Sequence, residues 1–181
     1  MNKTLKKILI GVGILIVVLF IAFKFMQYNT KKASPEATVT YTNGANITVK
    51  YCKPSKRGRE IFGKLEPFGK VWRTGANEAT TFDTDKDLTI GGKVLPAGHY
   101  TLWTIPEKES WTVIFNKKDY MWGVGQDGAS READSDALQV VVPVEKTETS
   151  VEQFDISFVD SPMMAMVLAW DTTKIVVPIM K

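Results

Sequence analysis

Ten residues, VWRTGANEAT at 71–80, place an aromatic ring, a guanidinium, an amide and a carboxylate close together. Arg57 and Arg59 lie upstream, so three arginines share one stretch of chain with Arg73. Each planar fork can grip a carboxylate, a phosphate or a sugar acid through parallel N–H donors. Asn77 adds an amide and Glu78 an acceptor, while Trp72 or Trp122 could stack on a sugar ring. The same groups suit a polar scaffold, with Arg73 or Arg59 paired to Glu78 or Glu60 and satisfying loop carbonyls. The segment reads as scaffold first, with ligand binding as the open alternative. Glu78 as a general acid or base needs a second positioned group. The sequence nominates none, so no catalytic residue is assigned.

Other reaction centres find little support. One histidine, His99, rules out a multi-histidine metal site within the chain. Asp83, Asp85 and Asp87 have the spacing of a calcium loop, but Val94 stands where its glutamate belongs. Those aspartates read as a solvated turn, and neither metal nor cofactor is expected. No phosphate-binding loop and no GxSxG nucleophile turn occurs. Cys52 has no partner for an internal disulfide and reads as a small, partly buried residue at a strand end.

The elements that position these residues are mostly strands. From residue 35 onward two-residue alternation prevails over helical spacing. Asn43-Gly44 separates two runs rich in Thr, Val, Ile and Tyr, and predicts a hairpin with a type I′ turn. ATTFDTD and DLTI read as a strand pair or a bulged turn, and HYTLWTIP and WTVIFNK as a hairpin about EKES. ALQVVVPVE, VEQFDISFV, MAMVLAW and KIVVPI complete about nine strands. An antiparallel two-sheet β-sandwich covers the apolar face of each sheet, with a closed barrel as the second choice. Residues 53–78 resist the pattern and read as a long loop with a helical turn near 60–65. Long ordered loops are often functional.

Ahead of the strands lies a different kind of segment. Residues 8–23, opening at Ile8, carry no charge. Lys24 can snorkel, and Phe25 and Met26 extend the apolar length to residues 8–26, enough to enter a bilayer as one transmembrane helix. No small-x-small site follows, so an uncleaved signal-anchor is expected over a removed signal peptide. Residues 1–32 are then anchor and tether, and 33–181 the body. Six lysines and no acid precede Ala33, and setting them aside leaves 17 basic residues against 20 acidic ones. A mildly acidic body lacks the basic face that nucleic acid requires. Lys6 and Lys7 beside the free amino group favour a cytoplasmic N-terminus.

RGREIFGKLEPFGKVWRTGANEAT, then GKVLPAGHYTLWTIP, WTVIFNK and the Trp-Gly at 122–123 carry a family resemblance. Across about residues 34–180 the chain resembles the domain-of-unknown-function family 2911, envelope proteins chiefly of Gram-negative bacteria. The resemblance implies no known activity. Its motif falls on Arg57, Arg59, Trp72, Arg73, Asn77, Glu78, Asn116 and Trp122, which become the candidate ligand-binding set. The family's next strand carries a tyrosine and then an arginine, whereas this strand holds Gln139.

The resulting expectation is an all-β domain in the periplasm, held by one span in a bacterial inner membrane. It would bind a small ligand, a glycan or an envelope protein without catalysis. The alternative is a hydrolase of envelope carbohydrate using Glu78. The anchor is checked by fractionation and N-terminal sequencing: full-length chain in the membrane pellet is expected. A soluble product beginning near Ala33 would overturn it.

Overall fold

A computed structural model describes residues 2–120, 122–125, 128–161 and 163–180. The chain divides into two compact units, one ending at Ala33 and the other beginning at Ser34. The first is a single helix, α1 (Lys3–Ala33), 31 residues long and about 46 Å by its rise. Its apolar window has a mean hydropathy of 2.9, and none of its residues is buried by protein. A helix that is apolar all round and uncovered has the length and composition of a membrane anchor or a signal sequence.

The body holds eleven strands among the described residues. In chain order they are β1 (Glu36–Tyr41), β2 (Ile47–Cys52), β3 (Thr80–Thr84), β4 (Leu88–Ile90), β5 (Lys93–Leu95) and β6 (Gly98–Pro106). β7 (Ser110–Asn116), β8 (Val124–Gly125), β9 (Gly128–Ala129), β10 (Asp136–Val159) and β11 (Ala165–Met180) follow. The antiparallel β class expected from alternation is what forms. The hydrogen bonding, however, runs through one nine-stranded sheet, ordered β1-β2-β3-β6-β7-β10-β11-β4-β5, with β8 and β9 as a separate ribbon.

The continuity comes from β10. Its first part pairs with β7 from Asp136 to Pro143, and its remainder pairs with β11 from Val144 to Val159. One long strand thus serves both arms of the sheet where the sequence suggests two strands. β11 likewise replaces two expected strands, and Asp171, at φ 54, marks its irregular point opposite a register shift in β10. Inward residues from both arms, such as Val49, Phe82 and Leu102 against Leu168, Ile175 and Val177, fill one core.

Three local expectations change. β3 and β4 do not pair: β3 lies between β2 and β6, while β4 joins β11 and β5. The β1–β2 hairpin forms, but Tyr41 faces Ile47, so five residues make the loop, and Asn43 is not among the positive-φ residues while Gly44 has φ 83. Asp85 explains the wider turn by accepting both the Asn46 backbone N–H (2.7 Å) and its side-chain amide (2.6 Å). Residues 60–65 form turns rather than helix, closed by Glu66 N–H to Ile61 C=O at 2.9 Å and Gly63 N–H to Glu66 C=O at 2.9 Å.

The long loop is held from inside. Trp72 forms an antiparallel bridge with Thr104, donating at 2.7 Å and accepting at 3.0 Å. Its ring stacks on Trp170 at 5.8 Å and meets Phe154 edge-on at 4.9 Å. Gly91 closes the return of β4 and β5 onto β10: it has φ +58, and a Cβ there would lie 2.8 Å from Val140 Cγ1. Replacing Gly91 by Ala combines a left-handed backbone with overpacking. It is expected to cost roughly 1–3 kcal/mol in chemical unfolding, whereas Gly92→Ala, which meets nothing within 4 Å, should cost less.

Candidate functional site

The bridge to β6 decides where Arg73 goes. Trp72 faces the main core beside Thr104, so alternation sends Val71 and Arg73 to the opposite face of the sheet. On that face Trp103, Ile114 and Ala79 form a second small core, with Val71, Ile105, Tyr120 and Ala129 packed on it. Cys52, the last residue of β2, is also buried on that side, and its thiol meets Glu78 Oε2 at 3.5 Å.

The turn after Arg73 is conformationally costly. Thr74 has φ 56, a region that a β-branched residue rarely enters, and Asn77 has φ 60. Thr74 is held by its hydroxyl on Thr104 Oγ1 at 3.1 Å and by its carbonyl, which accepts Thr80 Oγ1 at 2.7 Å. Trp72 Nε1 donates to the Gly75 carbonyl at 3.0 Å. Left-handed residues held this firmly tend to gather at binding and catalytic sites.

Arg73 is not engaged as a scaffold requires. Its Nε and Nη1 are buried and have no hydrogen-bond acceptor among the described residues. Burial holds its guanidinium below the ordinary arginine value, against the pull of Glu66, Cys52 and Glu78. Glu66 answers in kind: burial pushes its carboxyl from 4.5 up to about 7, against the pull of Arg73 and Arg59. In both groups the loss of water outweighs the attraction of the neighbour. Nε and Nη1 of Arg73 are therefore not committed to a carboxylate or carbonyl among the described residues, as a full clamp would require. Gly123 packs over the arginine, where a Cβ would fall 2.5 Å from Arg73 Cδ.

The other nominated residues divide clearly. Arg59 is exposed and staples its own loop, donating from Nε to Lys56 C=O (3.0 Å) and from Nη2 to Ser55 C=O (2.6 Å). Arg57 is exposed, with its backbone N–H on Glu152 Oε1 at 2.9 Å. Asn77 is buried, and its amide reaches the Ser34 carbonyl at 3.4 Å. Trp72, 4 % exposed, has its ring in the core, which leaves the half-buried Trp122 as the ring able to stack on a ligand. Asn116 is buried and fully occupied: it donates to Glu132 C=O and Asp136 Oδ1, each 2.8 Å, and accepts from Lys118 N–H and Tyr120 Oη.

The cluster that results is Arg73, Glu78 and Cys52, with Glu66 and the charge of Arg59 beside it. Glu66 was not singled out in the sequence, although GKLEPFG sets that acid before a proline between two glycines. His99 lies elsewhere, between Asp83 at 2.5 Å and Asp119 at 2.8 Å, and its hydrogen bond to Asp83 chiefly raises its pKa. Gln139 is exposed and donates to Asp136 Oδ2 at 2.7 Å. No group of three potential metal ligands occurs among the described residues.

The Glu66 shift has a defined sign. Below 4.5 both folded and unfolded chains hold the proton, and between 4.5 and about 7 only the folded chain keeps it. Stability therefore falls as pH rises through that window, by roughly 3 kcal/mol. Glu66→Gln should flatten the slope in unfolding measured at either end of the window. An equal fall in both proteins would show that Glu66 does not carry it.

No curated protein and no solved structure matches this chain. A family model does, over residues 34–179, which is the body from its first residue almost to its last. The chain belongs to the family described as Protein of unknown function (DUF2911).

Proposed function

We propose that this protein is a membrane-tethered binding domain whose Arg73 cluster receives a small anionic ligand: a carboxylate, a phosphate or a sugar acid. The observation that carries the reading is the pair of buried Arg73 nitrogens with no acceptor among the described residues. A buried donor left unmatched costs about 1–3 kcal/mol, and an anion accepting from both would recover it. Glu66 holds its proton to about 7, so it does not supply the missing negative charge in weakly acidic solution. The uncovered helix supports the tether. With a cytoplasmic N-terminus in an inner membrane, the two arms of the sheet form a sandwich-like body in the periplasm, where a glycan or an envelope protein could present the anion.

One observation favours hydrolysis of envelope carbohydrate as a second reading. Glu66 is a protonated carboxyl near neutrality and lies in the same charge cluster as Glu78, which is the partner an acid–base pair needs. Release of nitrophenol from aryl glycosides, lost in both Glu78→Gln and Glu66→Gln, would mark that reading.

Calorimetric titration of the full chain in detergent micelles with acetate, inorganic phosphate and glucuronate tests the binding reading. At least one anion is expected to bind at about pH 6 and to weaken above about pH 7, where the Glu66 carboxylate competes for Arg73. Arg73→Met should abolish binding while changing stability by less than about 1 kcal/mol, since it removes a desolvated guanidinium whose Nε and Nη1 donate to nothing among the described residues. A loss of several kcal/mol on that substitution would restore the scaffold role and overturn the proposal.

A further inference from the structure

A cleft of about 410 Å³ opens where the 60–68 turns, the β6–β7 connection and the β10–β11 pair meet. None of the eight residues nominated from the sequence lines it, and neither Glu66 nor Cys52 does. Its volume is in the range of small-molecule sites. The apolar part consists of Ile61, Phe62, Phe68, Trp111 and Val144. Phe62 and Trp111 meet edge to face at 4.7 Å, so the aromatic wall is ordered.

Two independent features give this cleft a chemical preference. The first is charge. Glu60, Glu107 and Glu109 line it as exposed acids without an ion-pair partner among the described residues, against the exposed Lys108 and Lys146. Asp171 also lines it but is already paired with Lys56 and feels Lys146. The second is an orphaned donor. Trp111 is 2 % exposed, and its indole Nε1 is buried with no acceptor among the described residues. An acidic rim attracts a cation, an aromatic wall accepts its apolar body and its charge, and the indole N–H asks for a carbonyl.

We propose that this cleft binds an organic ammonium ion borne on an apolar chain with a carbonyl acceptor, as the lysine side chain of a peptide provides. The ammonium lies among Glu60, Glu107 and Glu109, the methylenes run along Phe62 and Phe68, and the carbonyl accepts from Trp111. The site is separate from Arg73, so Arg73→Met leaves it intact.

The probe is Nα-acetyl-lysine amide, compared with Nα-acetyl-norleucine amide, which has a similar apolar chain and the same carbonyls without the charge. In full-length ¹⁵N-labelled chain in micelles, Trp111→Phe identifies the Trp111 indole resonance. That resonance should move on adding the lysine amide. The norleucine amide should bind about threefold to fivefold more weakly, the scale of one exposed charge interaction. In the triple variant Glu60→Gln, Glu107→Gln, Glu109→Gln, with an unchanged fold by circular dichroism, the two amides should bind alike. Equal binding of both amides to the unaltered chain, or an indole resonance that stays in place at saturating lysine amide, overturns the proposal.

Discussion

The hydrogen-bonded pair between Trp72 and Thr104 is the constraint on which the candidate site depends. β3 reaches Leu102 on β6 with its first residue, Thr80, and goes no further. Trp72 takes the next inward position along β6, so a single loop residue continues the sheet where the strand has ended. Its ring then packs against Trp170, Phe154, Trp111 and Phe62, and so sits at the centre of a five-ring cluster. Aromatic burial on this scale is among the largest favourable contributions one side chain can make. It offsets part of the entropy of ordering a loop of more than twenty residues. With Trp72 facing the core, Arg73 has to face the other way.

That orientation creates an electrostatic conflict that the loop does not resolve internally. Arg73 and Glu66 have opposite charge, yet burial moves each toward its neutral form. A closed, well-formed ion pair would move both the other way. The strained turn at Thr74 and Asn77 holds the arginine beside Cys52 and Glu78 without giving Nε and Nη1 an acceptor. Such an arrangement costs the domain the desolvation of two donors that no acceptor among the described residues repays.

The bent strand β10 does a parallel job for the cleft. Because it leaves β7 and continues with β11, Val144 and Lys146 come up beside the β6–β7 connection, and Asp171–Thr173 come in from β11. Ser55 and Lys56 attach the start of the loop to β10 at Gln153 and Glu152. The loop is therefore fastened at both ends, to β10 and to β6, and the turns between those points form a wall. One irregular segment contributes to two distinct surfaces.

The sequence by itself determined the features that depend on local order. An apolar run between lysines specifies one long helix. Period-two alternation specifies antiparallel strands, and the string around VWRTGANEAT specifies the family. Arg73 and Glu78 were legible as a cluster because they are five residues apart in one turn. Pairing partners were legible only where a short turn joins the strands, as in the β1–β2 and β6–β7 hairpins, because alternation gives the face of a strand and not its neighbour. ATTFDTD and DLTI look like a hairpin, yet β3 and β4 belong to different arms of the sheet. Asn116 and Trp72 read as contacts for a ligand, but one amide is fully occupied by its own loop and the other ring is part of the core. Glu66 and the Trp111 cleft escaped notice for the complementary reason. Whether a polar atom is buried and unmatched depends on groups that arrive from distant strands, and only the folded chain assembles them.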